Sequence, residues 1–170
     1  QRGGSSWLRP YRQGHFQKIS VLIRGLGLEK IKKYADIYGL TELSGVEIVE
    51  SEPQVSSEDA VRSAIGQGNH NYTTVGLSRY ITTVANSGVC YNLTLIDKMT
   101  DHNGNLLEDN TAEIRNIIEM ESSYWDAIHL GMRRVAESKQ YFNIGVDVAG
   151  KTGTAQQSSS HPNHALFVSY

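Results

Sequence analysis

The chain has 170 residues, of which 39% are hydrophobic and 20% are charged, with a formal net charge of -2. This composition suits one soluble domain or a piece of a larger one, and it excludes the strongly basic surface typical of nucleic-acid-binding proteins. A single cysteine, Cys90, excludes an internal disulfide. No apolar run approaches the roughly 18 residues that a membrane span needs.

The first helix is predicted after an N-terminal stretch without a clear pattern. Residues 1–23 follow neither a helical nor a strand period and are left unassigned. From Leu28 to Tyr38 the apolar residues recur at helical spacing, and Gly39 is a natural C-terminal stop. Residues 40–53 are predicted to form a loop with a short extended piece at Gly45–Val49.

Two more helices are predicted next in chain order. Asp59 to Ile65 predicts a short helical turn that ends at Gly66-Gln67-Gly68. The clearest helix follows, because the apolar residues between Leu77 and Val84 lie at i, i+3, i+4 and i+7. Either Thr73 or Thr74 is expected to cap its start.

The following part of the chain is predicted to combine a hairpin with one long helix. Val89 to Thr100 is predicted as a strand because apolar and polar residues alternate, and Asn103-Gly104 predicts a tight turn after it. Ser122 to Ser138 is predicted as a helix, with Ser123 and Asp126 forming a capping box at its start.

The most informative stretch, Gly145 to Ala155, satisfies two incompatible motifs. From Gly145 to Thr152 it fits G-x-x-x-x-G-K-[ST], the phosphate-binding loop of NTPases. From Lys151 to Gly153 it is K-T-G, the third motif of penicillin-recognising serine enzymes. A phosphate loop needs a helix directly after its lysine, and the glycine, serines and proline after Lys151 disfavour one. The NTPase interpretation is therefore kept as a remote alternative.

The chain closes with a predicted antiparallel hairpin, made of a strand, a turn and a second strand over Val146–Gln156, Gln157–Asn163 and His164–Tyr170. Strand alternation puts Lys151 and Gly153 on one face and Thr152 and Thr154 on the other. An ordinary hairpin with a surface lysine remains the plain alternative for a three-residue motif. Helices first and antiparallel strands last predict an α+β fold, an antiparallel sheet with flanking helices.

Several stretches together form an ordered set that is far more specific than K-T-G alone. They are Ile65–Gly68 with Thr73-Thr74, Leu77–Gly88, Leu130–Val135, Val148–Ala155 and His164–Tyr170. In this order they resemble the C-terminal half of the transpeptidase domain of class B penicillin-binding proteins, enzymes that cross-link peptidoglycan. The resemblance implies a partial penicillin-binding, serine β-lactamase-like transpeptidase fold over residues 24–170. It also implies a membrane-anchored parent protein on the extracytoplasmic face of the bacterial cell membrane, with cell-wall synthesis partners.

The resemblance implies roles for the residues of the K-T-G strand, without a metal or a cofactor. Lys151 would help hold the serine of the family's second motif and the negative end of the substrate. The Thr152 and Thr154 hydroxyls would bind the terminal carboxylate of a D-alanyl-D-alanine stem peptide, or of a β-lactam that mimics it. Gly153 would let the substrate lie close to the backbone. The Thr154 N–H would be one of two oxyanion-hole donors, each worth about 3 kcal/mol.

Two other motifs of that family are absent from the sequence. The family's nucleophile is the serine of S-x-x-K, but every lysine here has a residue other than serine three positions earlier. The S-x-N motif, expected shortly before the helix that starts near Leu28, is missing as well. Either the chain is a fragment of a longer serine-type D,D-transpeptidase, or it is a degenerate relative that acts as a non-catalytic binding or sensor module. The residues alone leave open whether this chain is itself an enzyme.

Other polar residues are interpreted as structural. His161-x-x-His164 lacks a third ligand and contains Pro162, so no metal site is predicted. Gln67 is predicted to be a turn residue at a cleft wall. Residues 70–72 fit a substrate groove and an exposed loop equally well.

Overall fold

Helices and short strands are mixed along the chain, in the order that the sequence predicts. The computed structural model describes residues 27–138, 145–155 and 162–170. The described helices are α1 over residues 27–37, α2 Ala60–Ala64, α3 Thr74–Ala85 and α4 Ser122–Glu137. The described strands are β1 Val89–Tyr91, β2 Lys98–Thr100, β3 Leu106–Asp109, β4 Ile114–Ile117, β5 Gly150–Ala155 and β6 His164–Ser169. The predicted α+β class is confirmed.

Antiparallel pairing is divided among small sheets. Within the described residues, β1 pairs with β4, β2 with β3, and β5 with β6, each pair as a two-stranded sheet. Helix α3 packs against β1 and β6, and helix α4 packs against β5. The two long helices therefore support the β5–β6 pair, α4 through the strand that carries the K-T-G residues and α3 through its partner strand.

The predicted helix ends follow local backbone chemistry. Gly39 ends α1 with a φ of 73°, in the left-handed region that glycine enters without steric cost. At the start of α3, the Thr73 hydroxyl accepts a hydrogen bond from the Gly76 N–H at 3.0 Å. Thr73, one of the two candidates from the sequence, is therefore the cap.

The single strand predicted over residues 89–100 is wrong, because the chain leaves β1 after Tyr91. The Leu93 N–H donates to the Ser44 carbonyl at 2.9 Å, so this segment bonds to the loop of residues 40–53 and not to a strand. Strand pairing resumes at β2, and the predicted turn at Asn103-Gly104 is confirmed between β2 and β3. No strand forms over Gly45–Val49.

Helix α4 begins where the sequence predicts, but the predicted capping box is wrong. Glu121 is the N-cap and makes no side-chain hydrogen bond to the helix, so Ser123 and Asp126 already lie within its first turns. The apolar stripe of α4 is only partly buried, since Trp125 is 4% exposed and Ile128 is 37% exposed. No helix in the described part of the chain is long and apolar enough to cross a membrane.

A buried arginine organises the packing between α1 and α3. Arg79 is 1% exposed, and its Nη1 donates to the carbonyls of Leu43 at 3.0 Å and Ser44 at 3.1 Å. Its Nη2 donates to the Glu42 carbonyl at 3.1 Å and to the Gly39 carbonyl. Burial lowers the pKa of this guanidinium. One side chain thus closes the loop after α1 onto the middle of α3.

Helix α4 packs against the turn between α3 and β1. Gly88 has a φ of 100°, and a Cβ there would lie 2.6 Å from the Ile118 carbonyl oxygen and 2.7 Å from the Trp125 ring. Only glycine allows the indole to lie this close to the backbone. The fully buried Cys90 lies just beyond, as a small core residue.

Candidate active site

The K-T-G residues lie in the middle of β5, which pairs with β6 in a continuous antiparallel register. Gly150 pairs with Ser169 and Ala155 with His164, without a bulge between them. Both predicted strands of the closing hairpin form, but the first begins at Gly150 and not at Val146. Residue 156 and residues 157–161 of the predicted turn lie outside the described residues. A strand continues from Lys151 to Ala155, where a phosphate loop needs the start of a helix. The NTPase alternative therefore lacks its required geometry.

The backbone of β5 presents a regular edge of polar groups. Ala149 and Tyr170 exchange two hydrogen bonds, at 2.9 Å and 3.0 Å, just before the strand begins. Hydrogen-bonded and non-hydrogen-bonded pairs alternate in an antiparallel ladder. The N–H and C=O groups of Thr152 and Thr154 therefore point away from β6, toward the outer edge of β5.

The side chains around this edge are exposed, from Lys151 to Thr154. The Lys151 ammonium donates to the Thr152 carbonyl at 2.6 Å, which brings its charge to the outer edge of the strand. Within the described ranges, the Thr152 and Thr154 hydroxyls make no side-chain hydrogen bond. Since β5 has no bulge, both hydroxyls lie on one face, as predicted from strand alternation.

The glycines on either side of Lys151-Thr152 have different surroundings. A Cβ at Gly150 would lie 2.5 Å from the Phe167 ring and 3.0 Å from the Val168 carbonyl oxygen. A Cβ at Gly153 would meet only Leu166 Cβ, at 3.7 Å, which is an ordinary contact distance. A side chain at position 150 would therefore displace the Phe167 ring, whereas Gly153 leaves its outer side open to a ligand.

The start of β5 is tied to the helices by residues that the sequence analysis missed. The Tyr170 ring packs edge-on against the His129 ring, with centroids 5.8 Å apart. His129 Nε2 lies 2.8 Å from the Val84 carbonyl oxygen in the last turn of α3. Arg133 Nη2 also donates to Asp147 at 2.6 Å, which joins α4 to the segment before β5. Helical spacing from Trp125 to His129 was a signal, but it could not identify Tyr170 as the contact.

The other polar residues noted in the sequence lie in the helical part of the chain. His70 Nδ1 accepts a hydrogen bond from the Ser56 N–H at 3.1 Å, and its Nε2 donates to the Ser63 carbonyl at 3.0 Å. Tyr72 lines a groove of about 520 Å³ between α1, α2 and α3, and burial raises its pKa to about 12. No residue of β5 lines this groove. Gln67 is a half-buried turn residue beside α2.

A metal ion is not indicated among the residues that the structure describes, since no three His, Cys, Asp or Glu side chains there are grouped to hold one. His164 lies at the start of β6, and His161 is outside the described residues. The absence of a metal from the site remains a prediction of the sequence.

Comparison with known proteins identifies the family. A family model described as "Penicillin binding protein transpeptidase domain" matches residues 15–170. The chain belongs to this family. The match covers residues 15–23 as well as the segment 24–170. The predicted resemblance to a class B penicillin-binding protein transpeptidase domain is confirmed.

Curated relatives of this transpeptidase family are much longer than the chain. Penicillin-binding protein 2A of Bacillus subtilis strain 168 is 33% identical over 109 residues, which are 59% of this chain and 15% of that protein. Penicillin-binding protein 2B of Streptococcus pneumoniae strain R6 is 25% identical over 147 residues, 76% of this chain and 22% of that protein. The chain therefore spans 15% and 22% of the length of these two relatives.

Solved structures of penicillin-binding proteins share the fold. Penicillin-binding protein 2B of Streptococcus pneumoniae strain R6 superposes with a TM-score of 0.66 at 25% identity, over 81% of this chain and 25% of that one. Penicillin-binding protein A of Mycobacterium tuberculosis gives a TM-score of 0.76 at 19% identity, over 89% of this chain and 38% of that one. The second likeness concerns the fold alone.

Proposed function

We propose that this chain is the substrate-binding part of a peptidoglycan D,D-transpeptidase, which supplies the K-T-G strand to serine acyl transfer. The observation that carries the proposal is the outer edge of β5. Two hydroxyls, an ammonium and outward-pointing backbone N–H groups lie within the four residues Lys151 to Thr154. Such a set is suited to a peptide that ends in a carboxylate.

The proposed ligand is the D-alanyl-D-alanine end of a stem peptide, or a β-lactam that resembles it. The Thr152 and Thr154 hydroxyls donate to its carboxylate, and the charge of Lys151 favours its negative end. The outward N–H of Thr154 donates to the carbonyl oxygen that becomes negative in the tetrahedral intermediate. A fixed donor stabilises this charge more than water does, because it needs no reorientation during the reaction.

The reaction proposed for the longer parent protein is a two-step acyl transfer. A serine oxygen attacks the carbonyl between the two D-alanines, an ester forms, and the terminal D-alanine leaves with a proton on its amine. An amine of a second stem peptide then attacks the ester, which forms the cross-link and returns a proton to the serine. The serine belongs to an S-x-x-K motif that this sequence does not contain.

A non-catalytic binding or sensor module is the second candidate function. The missing S-x-x-K and S-x-N motifs favour it, because the carboxylate-binding strand is present without a nucleophile. The genomic DNA upstream of the codon for Gln1 distinguishes the two candidates. An in-frame S-x-x-K there supports the transpeptidase, and its absence supports the module. In the first case we propose a parent anchored at the extracytoplasmic face of the cell membrane.

The chain alone is expected to form no covalent adduct with penicillin, whereas the proposed parent is expected to form one. Acylation needs a serine activated by a neighbouring base, and the family's motif for both is absent here. Intact-protein mass spectrometry after exposure to penicillin G measures the mass of both proteins. A stoichiometric mass increase on a serine of residues 1–170 would show that the nucleophile has been misplaced.

Thr154→Val in the parent is expected to slow acylation by penicillin about tenfold or more, because one hydrogen bond to a charged carboxylate is lost. Thr154→Ser keeps the hydroxyl and is expected to retain most of the rate. Thr100→Val, at an exposed threonine of β2, is the matched control. Stopped-flow acylation kinetics test this, and an unchanged rate in Thr154→Val removes its hydroxyl from the site.

A further inference from the structure

We infer that His129 and Tyr170 are positioning residues, which together hold the K-T-G backbone against the two long helices. The inference rests on the proposed function, since it says how the proposed ligand-binding edge keeps its place. It assigns no contact with the ligand to either residue. Both act through the start of strand β5.

The first step links Tyr170 to the site through the backbone. Tyr170 and Ala149 exchange hydrogen bonds at 2.9 Å and 3.0 Å, and Ala149 is 9% exposed. Lys151 follows Ala149 by two residues, so it occupies the next hydrogen-bonded position of the same ladder. A displacement of Tyr170 therefore moves the lysine and the edge beyond it.

The second step links the Tyr170 side chain to helix α4. Its hydroxyl lies 3.9 Å from the Met132 sulfur, and its ring packs edge-on against His129 with centroids 5.8 Å apart. Edge-on packing of aromatic rings is directional, so it fixes orientation as well as distance. The pKa of the Tyr170 phenol is raised by burial, as expected for a ring that is partly covered by α4.

The third step links His129 to helix α3. The Val84 carbonyl can only accept a hydrogen bond, so the Nε2 of His129, 2.8 Å away, must carry the hydrogen. Val84 is 5% exposed and lies in the last turn of α3, and its carbonyl also accepts a hydrogen bond from the Ser87 N–H at 3.1 Å. His129 therefore connects α3, α4 and Tyr170 at one point.

The site side chains do not provide this support themselves. The described hydrogen bond of the Lys151 side chain goes to Thr152 of its own strand, and both threonine hydroxyls face outward. The position of the edge is therefore set by the backbone at the start of β5. Displacements of about 1 Å are enough to lower the rate of an enzyme about 100-fold.

Amide hydrogen exchange in the 170-residue chain tests this coupling without using penicillin. His129→Leu removes the donor to Val84, whereas His129→Gln keeps an N–H donor at a similar reach. We expect His129→Leu to raise the exchange rates of the Lys151 and Gly153 amides about fivefold, the effect of losing one hydrogen bond. His129→Gln keeps the donor but not the ring contact with Tyr170, so it is expected to restore these rates only in part. His102→Leu, in the exposed turn between β2 and β3, is expected to leave them unchanged.

The amides of Tyr80 and Ile81, in the middle of α3, are the internal reference for global stability. If His129→Leu raised the exchange rates of the α3 and β5 amides equally, His129 would only stabilise the whole fold, and the inference would be overturned. Unchanged exchange rates of the Lys151 and Gly153 amides in His129→Leu would overturn it too. So would an unsubstituted chain whose β5 and β6 amides are not protected from exchange. Because the measurement involves no acylation, a parent protein that fails to react with penicillin contradicts only the proposed function.

Discussion

Replacing Arg79 with leucine is expected to lower the free energy of unfolding by about 3–4 kcal/mol, a large part of the 5–15 kcal/mol typical of a domain. The guanidinium donates to the carbonyls of Gly39, Glu42, Leu43 and Ser44. Leucine fills part of the volume but leaves the carbonyls of Gly39, Glu42 and Leu43 without this donor, at a position that is 1% exposed to solvent. The Ser44 carbonyl keeps the Leu93 N–H. Unpaired buried polar groups each cost about 1–3 kcal/mol, reduced here where water can enter.

Urea unfolding followed by circular dichroism measures this change. Arg79→Lys is expected to recover part of the loss, because an ammonium keeps the charge but cannot reach as many carbonyls as the planar guanidinium. Arg62→Leu is the matched control, since Arg62 is an exposed arginine of α2 with a single ion pair to Glu58 at 3.9 Å. An Arg79→Leu midpoint equal to that of Arg62→Leu would contradict the role of the carbonyl cluster.

The helices could be predicted because their signals are local. Apolar spacing predicts α1, α3 and α4, a threonine caps α3 and a glycine ends α1, and each of these signals lies within the segment that it describes. The capping box of α4 failed because several polar residues precede Trp125, and sequence spacing alone does not say which backbone turn begins the helix. The sequence thus predicts the presence of a helix better than it predicts which residues cap it.

Long-range contacts could not be predicted, because a sequence pattern does not name a partner. Residues 89–100 alternate as a strand should, yet Leu93 bonds to Ser44 in a distant loop and the strand is interrupted. Arg79 belongs to the buried side of α3, although a charged residue is normally assigned to the solvent face. Its burial depends on carbonyls of the loop after α1, which no periodicity reveals.

The candidate site also has one part that could be predicted from the sequence and one part that could not. Its K-T-G strand could be predicted because the motif and the alternation lie within one segment, and β5 and β6 form there. The contacts that support this strand could not be predicted, because His129 on α4 contacts Tyr170 and Val84, which lie in other parts of the chain. The chemistry of the site is local in sequence, whereas its position is a property of the tertiary packing.

Lys151→Ala in the proposed parent is expected to lower the rate constant of acylation by penicillin about 10²–10³-fold, the usual cost of removing one preorganised electrostatic contact. The ammonium is exposed and lies 2.6 Å from the Thr152 carbonyl, so its charge is concentrated at the outer edge of β5. Without it, the site attracts the carboxylate of the ligand less and stabilises the developing negative charge less. Stability is expected to change little, because the side chain makes no buried contact.

Stopped-flow acylation kinetics measure this effect, with Lys98→Ala in the exposed strand β2 as the matched control. The same variant also tests the remaining alternative, because a phosphate-binding lysine would be needed for nucleotide binding. We expect no saturable binding of ATP with Mg²⁺ by the unsubstituted chain, since β5 continues where a phosphate loop needs a helix N-terminus. ATP binding that is lost in Lys151→Ala, together with unchanged acylation, would reassign Lys151 from an acyl-transfer site to a phosphate site.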